Sequence, residues 1–380
     1  MIYCILLCVL CYAIFSVYLL VGWKSIAYTV TNVEKKPIHT VAVILPIRNE
    51  RVHIEIILKN LLDQNYPKEL YQVYLADDGS TDGTIDVLEK WIHTYPDTFK
   101  WAEQQPTFAD WKGKKKMIAS AIEQTNAEFI LTTDADCLLS SAWIRSMVDC
   151  LESSSNIQFV SGPVKMVGPD TFWNNFQKVE FSSLIGSGAS AIGLKKPLMC
   201  NGANVAYLRN AYIKVSGFEG NESIASGDDE FLMHKIVAEF SAEAVVFCKN
   251  EDAIVETKTA DAWSVFYNQR KRWAGKWEHY RLKYVQAAAL FVFGFHLTLL
   301  ISSILVLINQ LDWYYLLLLW GTKALFDYFY LKSVARFLSI DFKKSIFISA
   351  VLIYPLYVVG FGLISRLGSY TWKERIEKLS

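Results

Sequence analysis

Short apolar runs alternate with amphipathic stretches from Thr40 onward. The runs TVAVILP, YQVYLADD and EFILTTDAD predict strands, whereas IEIILKNLL, TIDVLEKWI and MIASAIEQT predict helices. Strands and helices in alternation indicate an α/β domain with a doubly wound, mostly parallel sheet. Because ligands bind such sheets beyond the carboxyl ends of the strands, the polar residues that follow each strand are the first candidates for function.

Much longer apolar runs lie near both ends of the chain and predict membrane helices. Three of them contain no Asp, Glu, Lys or Arg: Ile2 to Gly22, Val285 to Ile308 and Ile346 to Ile364. About 20 such residues in a helix cross the hydrocarbon of a bilayer. A fourth run, Trp313 to Leu331, is interrupted by Lys323 and Asp327, which are four residues apart and are expected to pair inside a helix bundle. We therefore predict four membrane segments, and it stays open whether 346–364 spans the membrane or re-enters it.

Composition and charge agree with a membrane-anchored chain. Hydrophobic residues make up 52% of the sequence, and 38 basic residues balance 38 acidic ones, which is more apolar than an ordinary soluble domain. Lys24, Lys35 and Lys36 follow the first apolar run, and by the positive-inside rule they place the polar middle of the chain in the cytosol. We expect five regions: an anchor (1–23), a cytosolic domain (24–260), an interfacial helix (261–283), membrane helices (284–365) and a basic tail (366–380).

Two carboxylates, Asp134 and Asp136, close the predicted strand EFILTTDAD. Both can face a hard divalent cation, Mg²⁺ or Mn²⁺, with water and phosphate oxygens completing its coordination. The simpler alternative is that they cap the helix expected around Ser140 to Cys150. Since other strands end in PIRNE (Pro46 to Glu50) and DDGSTDGT (Asp77 to Thr84) at the same sheet edge, we favour a metal that binds a diphosphate.

The segment DDGSTDGT has two interpretations. Its three acids, Asp77, Asp78 and Asp82, offer acceptors for hydrogen bonds from a base or a ribose. Alternatively, Ser80 or Thr81 caps the following helix, with Asp82 near its positive end. Both interpretations can hold together, because capping fixes where the acids point.

The segment WKGKKKMIASAI places lysines ahead of an apolar helix. Lys112 and Lys114 flank a glycine, and a lysine at this point can meet a phosphate as a point charge. For Lys115 and Lys116 we prefer the interpretation that they form the solvated start of the helix.

The segments VAVILPIRNE, LADDGSTDGT, KGKKKMIASAI, FILTTDADC, SGDDEFL and QRKRW resemble family 2 glycosyltransferases in their order and approximate spacing, over roughly Thr40 to Trp277. The resemblance implies the GT-A nucleotide-sugar-binding fold and inverting transfer of a sugar from a nucleoside diphosphate sugar. It implies nucleotide-binding or donor-binding positions at Pro46, Asn49, Glu50, Asp78, Lys114 and Asp134, and a metal motif at Asp134 and Asp136.

Inverting transfer needs a carboxylate that takes the proton of the acceptor hydroxyl. The segment ASGDDEFLMHKI offers Asp228 and Asp229 at the expected start of a helix, where acids also favour the helix dipole. Compared with the Glu-Asp pair of the family, Asp229 takes the position of the base and Asp228, with a shorter side chain, that of the Glu. In CNGANVAY, Asn201, Gly202 and Asn204 are expected either to contact the acceptor or diphosphate or to form a turn.

The segment DAWSVFYNQRKRWAGKW predicts a helix at the membrane interface. At about 100° per residue, one sector collects aromatic side chains, namely Trp263, Phe266, Trp273 and Trp277. A largely opposite face collects Gln269, Arg272 and Lys276. An aromatic stripe is usually packing, but Gln269, Arg272 and Trp273 match the Gln-x-x-Arg-Trp motif of the family, which implies contacts with the diphosphate and the acceptor.

These features predict an integral membrane enzyme of a bacterial cytoplasmic membrane, with its catalytic domain in the cytosol. It is expected to move a sugar from a metal-bound nucleoside diphosphate sugar to a lipid-linked or glycolipid acceptor, without a nucleic-acid partner. The alternative is a processive polysaccharide synthase, which the Gln-x-x-Arg-Trp motif favours and the thin membrane bundle disfavours. A nucleotidyltransferase ranks lower because PIRNE lacks a glycine, and an inactive membrane scaffold ranks lower because Asp78, Asp136, Asp229 and Arg272 are all present.

Overall fold

A computed structural model describes residues 2–32, 34–111, 113–222, 224, 226–280, 282–365, 369–372 and 375–378, with the backbone alone at 277, 278, 369–372 and 375–378. Contacts divide the chain into two compact units. We call residues 26–167 and 191–258 the sheet unit, and residues 1–25, 168–190 and 259–380 the helical unit.

The described helices are α1 (Ile2–Ser25), α2 (Ile54–Leu62), α3 (Thr84–Thr94), α4 (Gly113–Glu123), α5 (Trp143–Leu151), α6 (Phe172–Gly193), α7 (Arg209–Lys214), α8 (Asp228–Phe240), α9 (Trp263–Ala274), α10 (Lys283–Leu307), α11 (Trp313–Phe337) and α12 (Lys344–Ile364). The described strands are β1 (Val41–Ile47), β2 (Tyr71–Asp77), β3 (Phe99–Trp101), β4 (Phe129–Thr132), β5 (Phe159–Ser161), β6 (Val164–Val167), β7 (Val205–Leu208), β8 (Val245–Phe247), β9 (Val255–Lys258), β10 (Ser369–Trp372) and β11 (Arg375–Lys378).

The sheet unit is built on a seven-stranded sheet in the order β3-β2-β1-β4-β7-β5-β8. The strands β1 to β4 pair in parallel, whereas β7 is antiparallel to both of its neighbours, β4 and β5. The predicted mostly parallel α/β sheet is therefore confirmed, with β7 as the exception. The strand predicted over EFILTTDAD ends at Thr132, so both of its acids lie in the loop that follows β4.

The chain order changes direction at β1, which has β2 on one side and β4 on the other. Pairing of β1 with β2 continues to the end of both strands, but pairing with β4 stops at Ile44 opposite Thr132. The Ile47 carbonyl accepts a 2.8 Å hydrogen bond from Asp78 N–H beyond β2, so the backbone polar groups of Ile47 face β2. Those of Pro46, one residue earlier, face the opposite side, where the pairing with β4 has already ended. No strand there requires the N–H that proline lacks. The carboxyl ends of β1 and β4 thus form the crevice typical of a topological switch point.

The helical unit contains α1, α10 and α12, each long and apolar enough to cross a membrane by length and composition. They correspond to three of the four predicted segments. The fourth forms α11, a helix of 25 residues that is not among these apolar spans. Within α11, buried Lys323 pairs with Asp327 as expected, and Tyr12 of α1 donates a 2.6 Å hydrogen bond to Asp327. The helix α12 is continuous through Pro355, and its placement in a membrane stays a prediction.

Most of the tail predicted to be basic forms the paired strands β10 and β11. Arg366 and Lys373 lie outside the described residues. The side of the membrane on which the tail lies stays a prediction.

Candidate active site

Two loops at the crevice, 48–53 after β1 and 78–83 after β2, are joined by hydrogen bonds between side chains and backbone. Asn49 adopts a left-handed conformation (φ 49°), which asparagine tolerates better than most residues. Its side-chain oxygen accepts from Thr81 N–H, and its own N–H donates to Ser80 Oγ, both at 2.9 Å. The N–H of buried Glu50 donates to Thr84 Oγ1, also at 2.9 Å. Asn49 and Glu50 therefore fix the two loops against each other.

The two adjacent acids at the end of β2 have different surroundings. The carboxylate of Asp77 accepts hydrogen bonds from the N–H groups of Gly79 and Ser80, at 2.9 and 3.0 Å. Asp77 therefore stabilises the turn. The guanidinium of Arg48 binds the backbone carbonyl of Asp78, whose half-buried side chain lies at the mouth of the crevice. Of the two, Asp78 is the one that the resemblance assigns to the nucleotide.

The helix α3 begins differently from either capping option considered for Ser80 or Thr81. Its N-cap is Gly83 in a left-handed conformation (φ 85°), without a side-chain cap. Asp82 instead accepts from Thr84 N–H and from Arg51 N–H, both at 3.0 Å. Asp82 is thus another link between the two loops, and the predicted caps are wrong because glycine occupies the position where the chain must turn.

Beyond β4, Asp134 and Asp136 are half-buried and alternate with buried Ala135 and Cys137. The ammonium of Lys114, at the start of α4, forms an ion pair with Asp134. Lys114 and Asp134 are separated by 20 residues in the sequence, so the fold brings the predicted phosphate-binding lysine onto the predicted metal motif.

The two carboxylates of this loop suit a divalent cation whose remaining ligands come from the substrate and water. Within the described residues, no three His, Cys, Asp or Glu side chains gather into a metal site. Two carboxylates fit Mg²⁺ or Mn²⁺ whose other ligands are phosphate oxygens and water. Asp136 Oδ1 receives a weak 3.8 Å contact from Cys137 Sγ, whereas Asp134 is shared with Lys114. Since α5 begins at Trp143 without a side-chain cap, neither acid caps that helix.

Lys115 contradicts the expectation of a solvated helix start. The side chain is fully buried, and Nζ donates hydrogen bonds to the carbonyls of Asn221 and Ile224, both at 2.8 Å. The next residue, Lys116, is half-exposed and donates a 3.4 Å hydrogen bond to the Ala109 carbonyl. Lys112 lies outside the described residues.

Asp228 and Asp229 open α8, as predicted, after Gly227 in a left-handed conformation (φ 81°). Burial raises the pKa of the Asp228 carboxyl; Lys114 opposes the rise and Asp229 adds to it. Asp229 Oδ1 accepts a 2.8 Å hydrogen bond from Glu230 N–H. When two neighbouring carboxyl groups differ in their surroundings, they can take different roles in proton transfer. Asp229, which takes the position of the base in the comparison with the family, stays the candidate base.

The loop CNGANVAY brings Gly202 against both of these acids. A methyl group built on Gly202 would lie 3.2 Å from Asp228 Oδ2 and 3.3 Å from Asp229 Oδ2. The Gly202 carbonyl accepts a 3.4 Å hydrogen bond from Thr132 Oγ1 at the end of β4. Gly202 therefore lies between the end of β4 and the two acids, where a side chain would crowd the carboxylates.

Asn201 and Asn204 in the same loop both form hydrogen bonds within the protein, and contact of Asn201 with the acceptor or diphosphate stays a prediction. Asn201 Oδ1 accepts from Ala203 N–H at 3.0 Å, which is a turn. Asn204 is fully buried: its oxygen accepts from Trp143 Nε1 at 2.9 Å, and its nitrogen donates to the Pro163 and Ala253 carbonyls at 2.8 and 2.7 Å. Every polar atom of the Asn204 amide is engaged, so contact with an acceptor or diphosphate is wrong for Asn204.

The Gly202→Ala substitution is expected to lower turnover by about tenfold, because small displacements of catalytic groups are costly. The added Cβ would lie 3.2 Å from a carboxylate oxygen, so Asp228 or Asp229 must shift. Steady-state kinetics alongside calorimetric titration of a nucleoside diphosphate will check this, and nucleotide affinity is expected to persist. Gly321→Ala is the matched control, since among the described residues no atom beyond the local backbone of its own helix lies within 4 Å of the added methyl group. Equal turnover in both variants would contradict the crowding argument.

In the helical unit, α9 carries the Gln-x-x-Arg-Trp motif. Arg270, which lies within the motif and was not predicted, is 1% exposed and pairs with equally buried Glu180 of α6. Its guanidinium donates to Gln269 Oε1, and Cζ lies 4.4 Å from the centre of the Trp273 ring. Arg270 therefore holds two motif side chains, while Arg272 is half-exposed. The sequence does contain an indication, because Arg270 falls on the aromatic face of the predicted helix.

The predicted arrangement of side chains around a single α-helix applies only as far as Ala274, where α9 ends. A 3-10 turn, Gly275–His279, follows, so Lys276 and Trp277 depart from a spacing of about 100° per residue. Phe266 is buried, whereas Trp263 remains 60% exposed. The Trp277 side chain lies outside the described residues.

A family model described as glycosyl transferase family 2 matches residues 42–216. Over these residues the chain carries a glycosyl transferase family 2 domain. The matched stretch includes Asp78, Lys114, Asp134, Asp136 and Gly202, while Asp229 and α9 lie beyond it. The predicted family is therefore confirmed.

Proteins with similar sequences come from several organisms. Glycosyltransferase AglE of Haloferax volcanii is 28% identical over 130 residues, which are 34% of this chain and 41% of AglE. A dolichyl N-acetyl-alpha-D-glucosaminyl phosphate 3-beta-D-2,3-diacetamido-2,3-dideoxy-beta-D-glucuronosyltransferase of Methanococcus voltae is 22% identical over 281 residues, 70% of this chain and 83% of that protein. This chain thus spans less than half the length of AglE.

Among solved structures, the mannosyltransferase PcManGT from Pyrobaculum calidifontis, in complex with GDP-Man and Mn²⁺, has a similar fold. The TM-score is 0.58 at 18% identity, and the superposition covers 96% of this chain and 99% of that one. The likeness confirms the predicted GT-A fold.

Proposed function

We propose that this family 2 chain transfers a sugar, with inversion, from a metal-bound nucleoside diphosphate sugar to a lipid-linked or glycolipid acceptor. The observation that carries the proposal is the gathering of three groups in the sheet unit. These are the Lys114–Asp134 pair with Asp136 after β4, the half-buried Asp78 after β2, and the two acids at the start of α8. The first two suit a nucleoside diphosphate, and the third suits the proton transfer that sugar transfer requires.

The donor would be held at the crevice between β1 and β4. Asp78 offers acceptors to the base or ribose, and Pro46, Asn49 and Glu50 form the wall that the linked loops keep in place. Lys114 supplies a positive charge for the diphosphate next to Asp134. The loops are hydrogen-bonded to each other, and such links favour a preorganised nucleotide site.

Asp136 and Asp134 would hold the divalent metal. When bound, Mg²⁺ or Mn²⁺ neutralises the charge that develops on the leaving diphosphate. PcManGT was solved with GDP-Man and Mn²⁺, and the carboxylate pair of this chain suits the same class of ligand.

The chemical step would be a direct displacement. Asp229 takes the proton of the acceptor hydroxyl as its oxygen forms a bond to the anomeric carbon. The bond from that carbon to the diphosphate oxygen breaks on the opposite face, and the nucleoside diphosphate leaves with the electron pair. Asp228, whose carboxyl pKa is raised by burial, lies beside this base.

An acceptor at a membrane is supported by three helices of suitable length and apolarity. The Methanococcus voltae relative is named for a dolichyl phosphate-linked sugar, which is a lipid-linked acceptor. We assign the chain to a bacterial cytoplasmic membrane with its sheet unit in the cytosol. We also assign contacts with the diphosphate or the acceptor to the motif residues Gln269, Arg272 and Trp273.

The test is to offer the purified full chain radiolabelled UDP-, GDP- and dTDP-sugars with membrane lipid extract and Mn²⁺. Label is expected to enter the lipid fraction as a single addition. Label in a long polymer would replace this acceptor assignment with polysaccharide synthesis, which the Gln-x-x-Arg-Trp motif favours. Absence of transfer from every donor would overturn the proposed function.

The Asp136→Ala substitution is expected to lower the metal-dependent affinity for a nucleoside diphosphate by at least about tenfold, because one of two carboxylate ligands is lost. Titration calorimetry with and without Mn²⁺ measures the difference. Asp97→Ala, an exposed acid in the same unit, is the control and should bind as the unaltered chain does. Unchanged affinity of Asp136→Ala under both conditions would remove Asp136 from the metal site.

A further inference from the structure

We infer that Lys115 is a positioning residue for the acids Asp228 and Asp229, acting through the chain segment that precedes them. The inference rests on the proposed function, in which these acids handle the acceptor proton. Lys115 would contact neither donor nor acceptor. Its role is to hold the described residues that precede the two acids (221, 222, 224, 226 and 227), which we call the base loop.

Lys115 binds the base loop at two points. Its buried Nζ donates 2.8 Å hydrogen bonds to the carbonyls of Asn221 and Ile224. A buried ammonium strongly favours such acceptors, because charge-assisted hydrogen bonds are about twice as strong as neutral ones. The two carbonyls lie seven and four residues before Asp228, so the clamp acts on the chain just before the acids.

A second contact connects Lys115 to Phe231 in the first turn of α8. Nζ lies 5.0 Å from the centre of the Phe231 ring. That ring packs beneath Gly227, where an added Cβ would approach Phe231 Cε2 to 2.6 Å. Gly227 has a left-handed φ of 81°, and its conformation sets the direction in which Asp228 and Asp229 leave the loop. Lys115 therefore supports both the loop and the turn that aims the acids.

The helix that carries Lys115 is itself well anchored. Met117, Ile118, Ala121 and Ile122 are buried on α4, and a packed helix is a more rigid support than a loop. The preceding residue on α4, Lys114, pairs with Asp134 of the metal motif. Two consecutive lysines thus connect one helix to both halves of the site. Lys114 fixes the donor side, and Lys115 fixes the side of the base.

The test compares Lys115→Met, which keeps the length and removes the donor, with Lys116→Met, the half-exposed neighbour. In the full chain, Lys115→Met is expected to lower turnover by about tenfold or more. Its affinity for the nucleoside diphosphate that the unaltered chain binds, among UDP, GDP and dTDP with Mn²⁺, should stay within about twofold. Amide hydrogen exchange in the base loop should accelerate in Lys115→Met alone.

Three results would overturn the inference. The first is unaltered turnover and unaltered amide exchange in Lys115→Met. The second is a fall in the nucleotide affinity of Lys115→Met as large as its fall in turnover, because that would indicate general damage to the protein. If Lys115→Met does not fold, Lys115→Gln, which retains an N–H donor, takes its place. Wild-type turnover and exchange in that variant, despite its shorter side chain and lost charge, would equally contradict a charged clamp.

The exchange measurement also separates this inference from the proposed function. If the unaltered chain transfers no sugar, the proposed function fails, but loss of protection in the base loop of Lys115→Met would still support the clamp. If sugar transfer is present and identical in both proteins, the clamp fails while the proposed function stands.

Discussion

Asp229→Asn is expected to lower sugar transfer by roughly 10²–10⁴-fold, the contribution of a positioned general base. The amide cannot take the acceptor proton, whereas Asp136 and Lys114 on the donor side are unchanged. Nucleoside diphosphate affinity in the presence of Mn²⁺ should therefore persist. Transfer of radiolabelled sugar and titration calorimetry on the same preparation measure the two quantities.

Two further variants sharpen the assignment of the base. Asp228→Asn should retain a larger share of activity than Asp229→Asn, because it leaves the proposed base in place. Asp97→Asn, at an exposed position, should behave as the unaltered chain. Full turnover by Asp229→Asn would remove Asp229 as the base, and a greater loss in Asp228→Asn would transfer the role to Asp228.

Glu180→Gln is expected to lower the free energy of unfolding by about 3–5 kcal/mol, the usual cost of breaking a buried ion pair. Glu180 and Arg270 are both fully buried, and Arg270 Nε donates to Glu180 Oε1 at 3.2 Å. Tyr357 of α12 donates to the same oxygen at 2.8 Å. The substitution leaves the guanidinium of Arg270 without a neutralising charge among apolar rings. Thermal unfolding in detergent, followed by tryptophan fluorescence, measures the loss.

The double variant Glu180→Met with Arg270→Met should recover much of this stability, since removing both charges also removes their desolvation cost. The matched control is Asp170→Asn, which breaks the exposed pair between Asp170 and Lys343. Solvent screens that pair, so little change is expected. Equal unfolding midpoints for Glu180→Gln and Asp170→Asn would show that the buried pair does not stabilise the helical unit.

The elements set by local patterns were predictable from the sequence. Apolar runs such as TVAVILP form buried strands, because both faces of a central parallel strand are covered by helices. Polar residues follow each apolar run and mark the end of the strand, so Asp78 and Asp136 could be recognised as candidates. Lengths of apolar sequence likewise predicted α1, α10 and α12.

Residues whose roles depend on distant partners could not be assigned in this way. Lys115 looks like part of a basic helix start, but its Nζ binds a carbonyl 106 residues away. Asn204 looks like an acceptor-side residue, yet its amide is used by Trp143, Pro163 and Ala253. Arg270 lies in a basic run, where charged residues are usually solvated, and only the fold supplies its partner Glu180.

The division of the chain also constrains how the protein can be made. The segment 168–190 belongs to the helical unit, although it interrupts the sequence of the sheet unit. The strand β8 pairs with β5, and Asn204 binds the Ala253 carbonyl. The sheet unit can therefore complete its fold only after synthesis has passed β8 and come close to Lys258. By then, α1 and α6 have already been synthesised. Because domains generally fold as units during synthesis, α1 would be available to the membrane-insertion machinery while the sheet is still incomplete.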